Sequence, residues 1–265
     1  LTVARETYFT DTGGNVLACL EGDSTTTLNG RYITMQDSCG SFSETASGPI
    51  QNLGTSAGTD CAIPAGASAG NTHSSRSGYY ELNRMIEVAQ SYLPENSWLR
   101  NPVISNMNIN DNCNAGYNGQ FVFFTSGGGC NNTGEIAGVF DHEWGHGMDD
   151  HDANPGIQSP GEGIADTYAS LRLNTSCIGR NFKPIVCDGF GDACTECTGV
   201  RDIDWAKHAS GVPHDLNWVN ATCGSSVHCR GQIIGETIYD LWNRDLTAPP
   251  YNMDSNTARE FATQL

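Results

Sequence analysis

Apolar positions recur with helical spacing in some stretches of the chain and alternate or cluster in strand-like runs elsewhere. Between residues 79 and 92, Leu82, Met85, Ile86 and Ala89 stand three and four apart, which predicts an amphipathic helix ended by Pro94. Short β-forming runs bounded by turn residues predict strands at 16–20, 30–35, 103–109 and 119–125. Ile136, Val139 and Phe140 predict a second helix opening near Thr133, with Asn132 and Glu135 as its cap. A third opens at Ser159-Pro160-Gly161-Glu162, where a serine cap, a first-turn proline and a glutamate three after the serine coincide, and runs to about Leu171. A fourth covers about Gly231 to Trp242, with Ile234, Ile238, Leu241 and Trp242 as its apolar side. Residues 54–77 and 174–230 are turn-rich and without period, so they read as loops. Strands first and helices later predict an α+β chain: a β-rich part over residues 1–130 and a mainly helical part over 131–265.

Cysteine changes the picture of the loops. The 265 residues include eleven cysteines, six of them within 174–230. That density, with abundant Gly, Ser and Thr, points to an oxidising compartment and several disulfides, hence a secreted or cell-surface protein. Cys19 is expected to pair with Cys39, and Cys113 with Cys130 across strand 119–125. Cys194 and Cys197 have a C-x2-C spacing, but disulfides suit this compartment better than a structural zinc site. The odd count leaves one thiol free or bonded outside the chain.

Charge narrows the partners. Thirteen Lys+Arg against 30 Asp+Glu give a formal charge of −17, which disfavours nucleic acid and anionic lipid. No apolar run approaches the roughly 18 residues of a membrane span. The start, Leu1-Thr2-Val3, has no Met or leader core and reads as the product of removing a leader and a pro-region, as in a zymogen. Residues 258–265 read as a helix cut midway, so further C-terminal domains are expected.

The candidate chemistry lies in the second helix. His142 and His146 stand four apart with Glu143 between them. Four residues turn a helix only about 40° past a full turn, so both imidazoles leave one face. In this H-E-x-x-H pattern the histidines hold zinc and the glutamate takes a proton from water. The plain alternative is a helix bearing two solvated histidines. Gly138 and Gly145 leave little bulk beside that face, and Trp144 points the other way, toward packing.

A catalytic zinc keeps three protein ligands and one open position. His151 misses by one residue the register in which a third histidine would follow at 152. Glu162, sixteen residues after His146, is the alternative, with Asp166 one turn on and able to accept the outer N–H of a ligand imidazole. Glu162 could instead be a capping-box residue folded back on Ser159. The acidic run Asp149, Asp150, Asp152 is either a solvated turn or a calcium site. His73, His208 and His214 have no partner pattern and read as structural or solvated.

His142-Glu143-Trp144-Gly145-His146 followed by Gly161-Glu162-Gly163-Ile164-Ala165-Asp166 resembles the gluzincin zinc metallopeptidases of the thermolysin/fungalysin type. Asn114-Ala115-Gly116-Tyr117 resembles the family's edge segment that binds substrate backbone. Val227-His228-Cys229-Arg230-Gly231 resembles its His-x-x-Gly helix. Together these motifs span roughly residues 71–245. The resemblance implies a two-lobed fold with a zinc cleft between a β-rich and a helical, disulfide-stapled lobe. It implies Zn²⁺ on His142, His146 and Glu162, Asp166 supporting a ligand histidine, and Glu143 as general base. His228 would stabilise the tetrahedral intermediate, with Asp215 as a candidate to orient it, and Asn114 and Ala115 would bind a peptide or protein substrate. Two departures stand out: residues 147–161 contain no tyrosine, and Gly138 replaces the family's calcium-binding acid. The implied activity is zinc endopeptidase. A zinc aminopeptidase and a non-catalytic extracellular adhesion or assembly module that keeps zinc for structure are the alternatives.

Overall fold

A computed structural model describes residues 22–47, 51–151, 161–184 and 194–265. The expected run at 16–20, and Cys19 with it, lies outside them. Strand β1 (Asp23–Thr26) pairs antiparallel with β3 (Glu44–Ser47) in a small sheet, while β2 (Ile33–Asp37), two residues later than 30–35 would end, joins a larger one. After helix α1 (His73–Tyr92) come β4 (Val103–Ile109), β5 (Ala115–Tyr117) and β6 (Phe121–Phe124). Their order is β2-β4-β6-β5, with β4 parallel to β2 and β6, and β5 antiparallel to β6.

Strand β6, within the expected run 119–125, is not an edge; β5 covers it. The physical reason is visible in Phe121-Val122-Phe123-Phe124, which has no polar alternation to face solvent, whereas Ala115-Gly116-Tyr117 is too short to signal a strand by itself.

On one face of the sheet Ile33, Met35, Val103, Met107, Phe121 and Phe123 are buried against Leu82, Met85 and Ile86 of α1 and Phe140, Trp144 and Met148 of α2 (Ala137–His151). Each such side chain contributes about 1.5–3 kcal/mol. Trp144 indeed packs inward.

Helix α1 begins six residues before the apolar period does. Thr72 caps it by accepting from the Ser75 N–H at 3.1 Å, and Asp37 at the end of β2 accepts the hydroxyls of Thr72 and Ser75, each at 2.6 Å. Small polar residues in the first turn satisfy a buried junction with the sheet, so hydrophobic period alone misses them. The motif helix, by contrast, starts later than expected. Asn132 caps a single 3₁₀ turn, Thr133–Glu135, and the chain straightens at Ile136 before α2. Glu135 does not close a capping box; it accepts from Thr59 Oγ and the Asp60 N–H and lies 3.3 Å from His73 Nδ1.

Helix α3 (Gly161–Leu173) packs on α2, tied by Arg172 Nε donating to Asp141 at 2.7 Å. Beyond it lie the paired strands β7 (Cys177–Ile178) and β8 (Arg201–Asp202), helix α4 (Leu216–Thr222), helix α5 (Val227–Asp240) with a π-helical turn over Leu241–Asp245, and α6 (Ser255–Thr263). The 174–230 loop region thus holds a helix that its composition concealed. Asp215 is the N-cap of α4, accepting from the Trp218 N–H at 2.8 Å.

Cys39 is bonded to Cys61, not Cys19, which pins the 54–72 segment beside β2. Cys113–Cys130 is present as expected, and Cys177–Cys197 and Cys223–Cys229 staple the later loops. Cys194 is disulfide-bonded as well. The C-x2-C pair is therefore committed to disulfides. Among the described residues no helix is long and apolar enough to cross a membrane.

Helix α5 buries Gly231, Gln232, Gly235, Glu236 and Tyr239, while Ile234 and Ile238 of the expected apolar side are only partly covered. Glycine decides this. A Cβ on Gly163 would lie 2.5 Å from the Gly231 carbonyl oxygen, and one on Gly231 2.7 Å from the Gly163 nitrogen. The two helices touch backbone to backbone, so α5 presents its small and polar face inward.

Candidate metal centre

Helices α2, α3 and α5 bring the candidate residues together. His142 and His146 leave the same face of α2, as their spacing requires, and Glu162 approaches from the first turn of α3. His142 Nε2 lies 3.2 Å from His146 Nε2 and 3.3 Å from Glu162 Oε2; His146 Nε2 lies 3.7 Å from Glu162 Oε1. Donors arranged tetrahedrally around zinc at about 2.0–2.2 Å stand roughly 3.3–3.6 Å apart. The triangle has that size.

Its electronics agree. His142 Nδ1 donates to Asp166 Oδ1 at 2.9 Å, so Nε2, which faces the other two donors, is the nitrogen that carries the second proton or, once it is lost, offers a lone pair to a metal. Burial disfavours a charged His142, yet the bonds to Asp166 and Glu162 outweigh it and push its pKa up to about 10. His146 is pushed down to about 4 by burial and by His142. Burial would raise Glu162 and Asp166, but His142 and Arg201 hold them ionised and lower both to about 2. In the metal-free site the cation is the proton on His142, and two imidazoles with a carboxylate are the donor set that suits zinc.

Both oxygens of Glu162 are engaged within the site: Oε2 with His142 and Arg201, Oε1 near His146 and 3.2 Å from His228 Nε2. A carboxylate so placed is turned toward the histidines rather than toward a helix cap. Glu143 is buried beside them; burial, with Glu162 nearby, raises it to about 7 despite His142. His228 lies in the first turn of α5, which opens at Val227, four residues before the expected helix; burial lowers its pKa while Glu162 opposes that. Asn114, Ala115, Glu143 and His228 line one cavity of about 620 Å³ with the three donors. Asp149, Asp150 and His151 form the last turn of α2, and the rest of the acidic loop lies outside the described residues.

Arg201 was not found from the sequence. It sits in β8, 2% exposed, donating through Nε to Asp166 Oδ2 at 2.6 Å and through one terminal nitrogen to Asp166 Oδ1 at 3.0 Å and Glu162 Oε2 at 3.2 Å. A single arginine in a cysteine-rich loop has no spacing that announces it. Only the pairing of β7 with β8 carries it under the site.

Gly145 sets the distance between α2 and α3: a Cβ there would lie 2.6 Å from Ala165 Cα, which no rotamer change relieves. Gly145→Ala should lose about 1–2 kcal/mol net, overpacking outweighing a helix-propensity gain of about 1 kcal/mol. It should also weaken zinc binding by separating His146 from Glu162. Urea unfolding and a zinc titration check both; unchanged stability would mean the helices tolerate separation.

No protein-family model matches the chain, and no curated protein matches it. Among solved structures it is similar to the precursor of protealysin, a metalloproteinase from Serratia proteamaculans, with 16% identity and a TM-score of 0.49 over 82% of this chain and 70% of that one. A likeness that distant carries no weight, and the site is read from its own geometry.

Proposed function

We propose that the protein is a zinc-dependent endopeptidase, with His142, His146 and Glu162 holding the metal. The observation that carries this is the donor triangle with Glu143 buried beside it. A purely structural zinc site needs no such carboxylate. Zinc bound there supplies Lewis acidity, polarising a carbonyl and acidifying water toward neutrality. Glu143, its carboxyl raised to about 7, accepts a proton from water and returns it to the departing amine. His228 donates from Nε2 to the oxyanion, a contribution typically worth about 2.7–4 kcal/mol. Asp166 and Arg201 hold His142 and Glu162 in place.

An extended peptide pairs with the outer edge of β5 at Ala115, beside Asn114, by main-chain hydrogen bonds. The edge strand belongs to an N-terminal lobe of residues 1–130, and the histidines to a lobe of 131–265, with the substrate between them. The disulfides and acidic charge suit secretion.

Casein and an N-terminally blocked peptide, each incubated with zinc-loaded protein, test the activity. Internal cleavage of both is expected. Cleavage confined to free N-termini would establish an aminopeptidase. A folded, zinc-loaded sample that cuts neither substrate would point to the adhesion or assembly module.

A further inference from the structure

A second set of donors converges outside the proposed active site. His208 ends the 3₁₀ turn Trp205–Lys207, His214 lies in the loop before α4, and Glu236 projects from the inward face of α5. All three are buried, at 3%, 8% and 4% exposure, and their donor atoms lie within 4.8 Å of one another. Isolated histidines with no sequence pattern were expected to be structural or solvated. These two are neither solvated nor isolated.

Three observations bear on what they hold. First, His208 Nε2 lies 2.5 Å from the Asp202 backbone carbonyl, an acceptor only, so Nε2 carries the hydrogen. A neutral His208 therefore has a bare lone pair on Nδ1. That atom is buried, without a hydrogen-bond partner among the described residues, and faces Glu236 Oε1 at 3.6 Å. Two electron-rich atoms facing one another away from water are unfavourable unless a cation lies between them. An outer N–H given to a backbone carbonyl is also how ligand histidines are usually fixed.

Second, His214 Nδ1 approaches the same Oε1, at 2.7 Å, and its backbone N–H donates to Oε2 at 3.1 Å. One proton satisfies one imidazole–carboxylate pair; an ion satisfies three donors together. Third, the rings are held as a stack, His208 on His214 with centroids 4.8 Å apart and His214 on Trp218 at 3.5 Å. The stacked rings place both Nδ1 atoms beside the same Glu236 oxygen.

We propose that His208 Nδ1, His214 Nδ1 and Glu236 Oε1 form a second metal site, for a divalent transition ion of the zinc class. The 3.6 Å separation matches two donors of a tetrahedral zinc, roughly 3.3–3.6 Å, and the 2.7 Å pair opens by under about 1 Å to admit the ion. The ion clamps the loop after β8 to α5. Helix α5 carries His228 in its first turn, and Asp202 adjoins Arg201. The clamp thus fixes two groups of the first site from behind.

Zinc-edge anomalous diffraction from wild-type crystals grown with zinc chloride tests this without any variant. A peak enclosed by His208, His214 and Glu236, separate from any peak at His142, is the expected result. Metal analysis after dialysis should give two equivalents per chain, falling to one in Glu236→Gln, with a zinc-dependent rise in Tm lost from that variant. A map with a peak at His142 alone overturns the second site and leaves the first intact. A map with neither peak overturns both, and unchanged stoichiometry in folded Glu236→Gln also rejects the clamp.

Discussion

Glu143→Gln should bind zinc normally and lose hydrolysis of casein by a factor of about 10² to 10⁴, the range for removing a general base. The amide keeps the size and position of the side chain on α2, where Glu143 is 6% exposed, so the donor triangle beside it is undisturbed. What disappears is a group that both accepts and returns a proton. Zinc content and casein turnover measured on one preparation check the prediction. Turnover within a few fold of wild type would show that another group handles the proton.

Arg201→Met should cost about 3–5 kcal/mol of stability, the loss typical of breaking a buried ion pair by removing one partner. Asp166 is fully buried and takes two of the three hydrogen bonds Arg201 makes to carboxylates. Without them its charge is balanced only by His142. Methionine fills much of the same volume, so the loss reports charge rather than a cavity. Arg201→Lys should fall between, since one ammonium cannot replace the planar fork that reaches both Asp166 oxygens. Denaturant unfolding of the metal-free proteins measures all three; a loss under about 1 kcal/mol for Met would mean water or another cation serves Asp166.

The parts of this site that the sequence discloses are those set by helical geometry. Residues four apart on one helix must share a face, so His142 and His146 were legible, and Asp166 with Glu162 for the same reason on α3. The strands expected at 103–109 and 119–125 followed from apolar runs that the sequence shows directly, the second forming only over Phe121–Phe124. Whatever depends on contacts between elements did not show. Arg201 is fixed by the pairing of two two-residue strands. The first turn of α1 is made by Thr72 and Ser75 bonding to Asp37, 35 and 38 residues away. The inward face of α5 follows from Gly163 and Gly231 rather than from its isoleucines, and that reversal buries Glu236. Cys39 had several possible partners, and spacing could not choose Cys61.

The central claim is that a metal at His142, His146 and Glu162 carries the hydrolysis, and add-back of zinc tests it most directly. The protein is stripped with a chelator, shown by circular dichroism to remain folded, and assayed on casein as zinc is returned. Activity absent from the stripped protein and restored by zinc, but not restored in His146→Ala, is the predicted result. Full casein hydrolysis by the folded, metal-free protein would contradict the account.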